Sequence, residues 1–155
     1  MIITILPSSA NFHAVAYNEM KVEKGVATLL EAQNIYGLRQ ENYTSEKLRQ
    51  FFMDYSSRNT HIQNAQFHVA VSCKGTEYTH QQLLDIAHRY LKEMGYAEEG
   101  QPLLVYAHHD TDNNHIHIIT SRVAPDGHKI DHNHEKRRSR AATPKIMEEY
   151  TGQRQ

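Results

Sequence analysis

The chain alternates between a two-residue and a 3.6-residue hydrophobic period. Ile2-Ile3-Thr4-Ile5-Leu6 is β-rich and stops at Pro7-Ser8-Ser9, which predicts a strand and then a turn. Asn11 is a candidate N-cap for a helix over 12–24 that Gly25 ends. Val26, Leu29, Leu30 and Ala32 suggest a second helical piece over 26–34, and the polar stretch 36–43 reads as a loop. Leu48, Phe51, Phe52 and Tyr55 recur at helical spacing over 45–57. From Gln66 to Ser72 the period becomes two, with Phe67, Val69 and Val71 on one face and His68, Ala70 and Ser72 on the other. Thr79 and Gln82 form a capping-box pattern ahead of an amphipathic run, Leu83 to Met94, closed by Gly95. Strands over 103–109 and 114–123 flank Asp110-Thr111-Asp112-Asn113. Pro125-Asp126-Gly127 is a turn, Lys129-Ile130 a short strand, and Pro144 the N1 residue of a last helix.

Strands in adjacent hairpins with helices between others predict an α+β fold. The expected architecture is a central, mainly antiparallel β-sheet with helices packed on one face. The 155 residues and 17.9 kDa suit a single domain, 1–155, with 129–155 as its C-terminal segment. Lys+Arg is 17 and Asp+Glu is 18, so the global charge argues mildly against a nucleic-acid binder. The lone Cys73 excludes a disulfide framework and a thiolate-rich zinc site. No long apolar run or charged-then-apolar leader occurs, so a cytoplasmic domain with no membrane contact is expected.

Histidine is abundant, 12 residues, and seven of them lie between His108 and His134. If the hairpin is symmetric about Thr111 and Asp112, His108 stands opposite His115, and His117 shares their face two residues on. Three neutral imidazoles on one face could hold a cation and leave a coordination position open. The same register sends His109 to the opposite face with Val105, Ala107, Ile116 and Ile118. Asp110 could be a ligand, a hydrogen-bond acceptor for a ligating imidazole, or a turn residue, while Asp112 reads as a turn residue. His68 either projects into the same cleft or is a polar sheet residue.

His108-x-Asp110-Thr111-Asp112-Asn113-x-His115-Ile116-His117, followed by Arg122-Val123 and an Asp-Gly turn, resembles the third motif of conjugative relaxases. These are the mobilisation nucleases of the HUH endonuclease superfamily. The strand, Pro-turn and helix with Ala16-Tyr17-Asn18 and Lys21 resemble the family's first motif, and the strand 67–72 and the Thr79 helix are also similar. The likeness spans nearly the whole chain, which is shorter than most relaxases, so it reads as a truncated catalytic domain or a small member.

The resemblance implies that His108, His115 and His117 hold one divalent cation, Mg²⁺ or Mn²⁺. It implies that Tyr17 attacks a phosphodiester of single-stranded DNA at an origin of transfer, giving a 5′-phosphotyrosyl enzyme and a free 3′-OH. Asp110 and His68 are candidate bases for the phenol, whose ordinary pKa is about 10. At helical spacing Tyr17 also suits a packed tyrosine, with Tyr36 and Tyr43 as fallback nucleophiles. Accessory mobilisation proteins and a coupling ATPase are the implied partners, in a bacterial cytoplasm.

Residues 129–145 hold six Lys or Arg against Asp131 and Glu135. Lys129, Lys136, Arg137, Arg138 and Arg140, with Arg122 beside the second histidine strand, are candidate phosphate contacts. Competing functions are a rolling-circle replication initiator, a non-haem metal oxygenase using His108, Asp110 and His117, and a non-catalytic DNA-binding domain with a structural ion. A nucleophile ahead of the histidines favours the relaxase.

Overall fold

A computed structural model describes residues 1–154, with side chains through residue 152. The elements in chain order are β1 (Ile2–Leu6), α1 (His13–Glu23), β2 (Ala27–Gln33), α2 (Ser45–Ser56), β3 (Gln66–Ser72), α3 (His80–Met94), β4 (Leu103–His108), β5 (His115–Ser121) and α4 (Glu135–Arg154). The five strands form one sheet in the order β1-β3-β5-β4-β2, and every pairing is antiparallel. None of the described helices is long and apolar enough to cross a membrane.

The α+β class and the antiparallel sheet match expectation; the placement of helices on one face does not. Alternation along β4 explains why. Leu103, Val105 and Ala107 join one core with α3 and α4, while Leu104 and Tyr106 join a second core with α1 and α2. Both faces of β4 therefore bury apolar side chains and each needs a cover.

Three further expectations are corrected. The stretch 26–34 holds strand β2, Ala27–Gln33, rather than a helix, and its register with β4 shifts between Leu29 and Glu31. That bulge turns Leu29 and Ala32 toward one core and Leu30 toward the other, which mimics helical spacing. Asn11 does not cap α1. Phe12 takes that position at φ 54 with no side-chain cap, and the Ala14 N–H instead donates to Gln66 Oε1 at 2.9 Å. Pro144 lies inside α4 rather than starting it. The helix begins a full two turns earlier, and Ala142, Ile146 and Tyr150 bury one stripe that outweighs the donor lost at Pro144.

The elements that carry the histidines follow their sequence signals closely. The Thr79–Gln82 capping box is present in full and Gly95 closes α3 at φ 92. Ile116 and Ile118, both inaccessible, bind β5 to the α3 side. The opposite face of β5, with His115 and His117, is left toward α1.

Candidate metal centre and nucleophile

The β4–β5 register pairs His108 with His115 and Tyr106 with His117. Antiparallel partners share a face, so the three histidines point to one side, and their ligand atoms lie within 4.8 Å of one another. Ring centroids are 4.8 Å apart for His108–His115, 4.1 Å for His108–His117 and 5.6 Å for His115–His117. His109 turns away, as expected, toward Thr28 and His80.

The hydrogen bonds at the rim of the cluster leave its inner nitrogens free. His115 Nδ1 lies 3.0 Å from the Asn113 carbonyl, which can only accept, so Nδ1 carries the proton and Nε2 keeps its lone pair. His117 Nδ1 bonds His68 Nε2 at 2.7 Å, leaving His117 Nε2 available. His108 Nε2 bonds Asn18 Oδ1 at 2.6 Å, and His108 Nδ1 is buried without a partner. An orphaned buried acceptor beside two other imidazoles fits a divalent cation. Burial first, and the neighbouring imidazoles second, lower the pKa of His108 to about 4 and that of His117 to about 2. His68 is likewise lowered to about 4 by burial. All three are therefore neutral near pH 7, and His108 and His117 could ligate a cation without first losing a proton.

Helix α1 crosses this face and carries Tyr17. The Tyr17 ring is 6.3 Å from both His108 and His117, centroid to centroid, and the residue is 44% exposed, so it is not a core tyrosine. Lys21, one turn on, sits 5.1 Å from the Tyr17 ring centroid and is ion-paired with Asp110. Its ammonium is raised in pKa first by that carboxylate and then by a hydrogen bond with Tyr17, and Asp110 is lowered in turn. Tyr36 is exposed and bonded to Asn34, and Tyr43 packs at the second core; no ring contact joins either to the histidines among the described residues.

Asp110 is bound to Lys21, with Oδ1 3.9 Å from His108 Nδ1, so it stands beside the cluster rather than in it. The clustered candidate donors are three imidazoles, not the two histidines and one carboxylate of an oxygenase. His68 is buried and bonded to His117, which makes it the outer partner of a candidate ligand.

The basic residues lie elsewhere. Arg122 is buried, makes a bidentate pair with Glu135 (Nη2 to Oε1, 2.9 Å) and stacks 5.1 Å over Phe67, so it ties α4 to the sheet and its guanidinium is not free for a phosphate. It is five residues beyond His117, about 17 Å along the strand. Arg138 is turned back on the Asp131 and Asn133 carbonyls. Lys129, Lys136, Arg137 and Arg140 are exposed without ion pairs among the described residues. Helix α4 packs on the sheet face opposite the histidines, so the basic run is distal to the cluster rather than adjoining it.

Several functional contacts have no local signal in the sequence. Gln66 tethers α1 from 52 residues away, and Tyr106 donates to Glu19 at 2.6 Å across 87 residues. Only fold-level pairing brings them together. Asn18 and Lys21 are legible as parts of a motif but not as partners of His108 and Asp110.

No curated protein and no solved structure gives a significant match. The family model described as "Relaxase: MobA/VirD2-like, nuclease domain" matches residues 17–151, which span Tyr17, all three clustered histidines and most of α4. With five antiparallel strands, a histidine triad and a facing tyrosine already in place, the chain belongs to the MobA/VirD2-like relaxase nuclease domains.

Proposed function

We propose that the domain nicks and rejoins single-stranded DNA at an origin of transfer, with Tyr17 as nucleophile and His108, His115 and His117 as cation ligands. One observation carries this reading: an accessible tyrosine stands 6.3 Å, ring to ring, from two of three clustered imidazoles whose inner nitrogens are free. A bound divalent cation supplies positive charge beside the non-bridging oxygens of the scissile phosphodiester. Mg²⁺ and Mn²⁺ are the candidates, and an all-imidazole donor set favours a first-row ion over Mg²⁺.

The chain's own groups do the rest. The Tyr17 oxygen forms a bond to phosphorus as the 3′-oxygen leaves, which gives a 5′-phosphotyrosine and a free 3′-OH. The bond energy of the cut strand is kept in the ester, so the reverse attack rejoins DNA without another energy source. The phenol proton passes to solvent and the departing 3′-oxygen takes one up from solvent; the Lys21 ammonium stabilises the phenolate so formed, and Asp110 acts through Lys21 by holding it there. On the histidine face Thr4 is exposed and Ala70, Ser72 and His115 are half-buried, which leaves an approach to Tyr17 from the β1 side.

Lys129, Lys136, Arg137 and Arg140 would hold flanking phosphates on the far side of the sheet, away from the cut. Accessory mobilisation proteins and a coupling ATPase in a bacterial cytoplasm complete the proposal. A rolling-circle initiator would share this chemistry, but the family match and the tyrosine ahead of the histidines favour the relaxase. The test is incubation with Mn²⁺ and single-stranded oligonucleotides tiling the element's transfer origin, followed by a denaturing protein gel. A slower band that needs both Mn²⁺ and one oligonucleotide supports the reading, and its absence across the whole origin refutes it.

A further inference from the structure

Asn18 is wholly inaccessible, and both ends of its amide are used. Its Nδ2 donates to the Ala14 carbonyl at 2.8 Å, one turn back on α1. A carbonyl cannot donate, so this bond fixes which end of the amide is nitrogen. The other end, Oδ1, meets His108 Nε2 at 2.6 Å and can only accept. His108 must then carry its proton on Nε2, and its lone pair lies on Nδ1, the buried atom with no partner. His115 and His117 have the reverse arrangement, with Nδ1 engaged and Nε2 free.

Helix α1 is weakly amphipathic; on its inner face it is fastened by polar bonds, from Gln66 to Ala14, from Asn18 to His108, from Glu19 to Tyr106 and from Lys21 to Asp110. Asn18 directly follows Tyr17. A bond between Asn18 and a ligand therefore links the placing of the cation to the placing of the nucleophile's helical turn.

We propose that Asn18 is a positioning residue that locks the Nε2–H tautomer of His108, so that His108 binds the cation through Nδ1 while His115 and His117 bind through Nε2. This rests on the reading of the three histidines as a metal centre. An imidazole held by a second hydrogen bond presents its lone pair in a fixed direction, and losing such a partner typically lowers metal affinity about 10–100-fold.

The test uses the intact protein with ¹⁵N-labelled histidine and Zn²⁺ as a diamagnetic probe, with His108 assigned by its loss in His108→Gln. Long-range ¹H–¹⁵N spectra should show His108 protonated on Nε2 before Zn²⁺ is added and shifted at Nδ1 afterwards. His115 and His117 should shift at Nε2. Asn18→Leu should lose the fixed tautomer and weaken Zn²⁺ binding about tenfold or more. A His108 protonated on Nδ1, a Zn²⁺ shift at its Nε2, or a folded Asn18→Leu with wild-type tautomer and affinity overturns the proposal and leaves the metal centre standing. If no histidine responds to Zn²⁺, the metal centre itself fails and the proposal with it. The wild-type spectra decide the matter even if Asn18→Leu does not fold.

Discussion

The Tyr17 ring stands 6.3 Å from the His117 ring while 44% of the residue remains exposed. A group that packs against the cluster yet faces solvent contributes little to the core. Tyr17→Phe should therefore leave thermal stability within about 0.5 kcal/mol of wild type and abolish the covalent DNA adduct. Melting curves and a denaturing gel on the same preparation check both halves.

The half-buried His115 and the buried His108 should separate binding from folding. His115→Ala removes one of three donors at the edge of the hairpin and should weaken Mn²⁺ binding by tenfold or more, with a stability loss of about 1 kcal/mol or less. His108→Ala also leaves Asn18 Oδ1 buried without its donor, which should cost about 1–3 kcal/mol. Calorimetric titration with Mn²⁺ and denaturant unfolding distinguish the two. Chelation should stop nicking reversibly.

His68, His108 and His117 set the acid limit of the metal-free protein. Their folded pKa values lie below the ordinary 6.5. Between pH 6.5 and about 4 the unfolded chain binds protons that the folded chain refuses, so stability falls as pH falls through that window. Each group contributes a slope of up to about 1.4 kcal/mol per pH unit, and above pH 7 the contribution is flat. Added cation should shift the acid midpoint downward. Chemical denaturation at pH 7.5, 6, 5 and 4.5, with and without Mn²⁺, measures this; a pH-independent stability would contradict it.

Arg122 and Lys136 should behave oppositely, although both lie in or beside the basic stretch. Arg122→Ala leaves the Glu135 carboxylate unpaired at a largely buried site and should cost about 3 kcal/mol. Lys136→Ala, on an exposed turn of α4, should be neutral for folding and reduce the salt slope of DNA binding by about one. Binding isotherms at several salt concentrations, beside melts, test the pair.

Signals confined to one element were legible in the sequence. The alternation of β3, the Thr79–Gln82 box and the pairing of His108 with His115 across a symmetric hairpin depend on neighbours within a few residues. What failed depends on tertiary structure. The bulge at Leu29 and Glu31 disguised β2 as a helix, and the packing of Ala142, Ile146 and Tyr150 carried α4 through Pro144. Arg122 read as a phosphate contact because its partner Glu135 is brought to it only by the turn at Pro125-Asp126-Gly127 and the bridge between Val123 and Lys129. The triad and the tyrosine were visible as residue types, but the Asn18, Glu19 and Gln66 bonds that set α1 over them were not.

Tyr17 itself should become bonded to DNA. The adduct formed with Mn²⁺ and a transfer-origin oligonucleotide should be digested and mapped by mass spectrometry. A 5′-phosphonucleotide mass on the peptide carrying Tyr17, absent when the cation is chelated, is the predicted result. The same mass on a peptide carrying Tyr36 or Tyr43, with Tyr17 unmodified, would contradict the account.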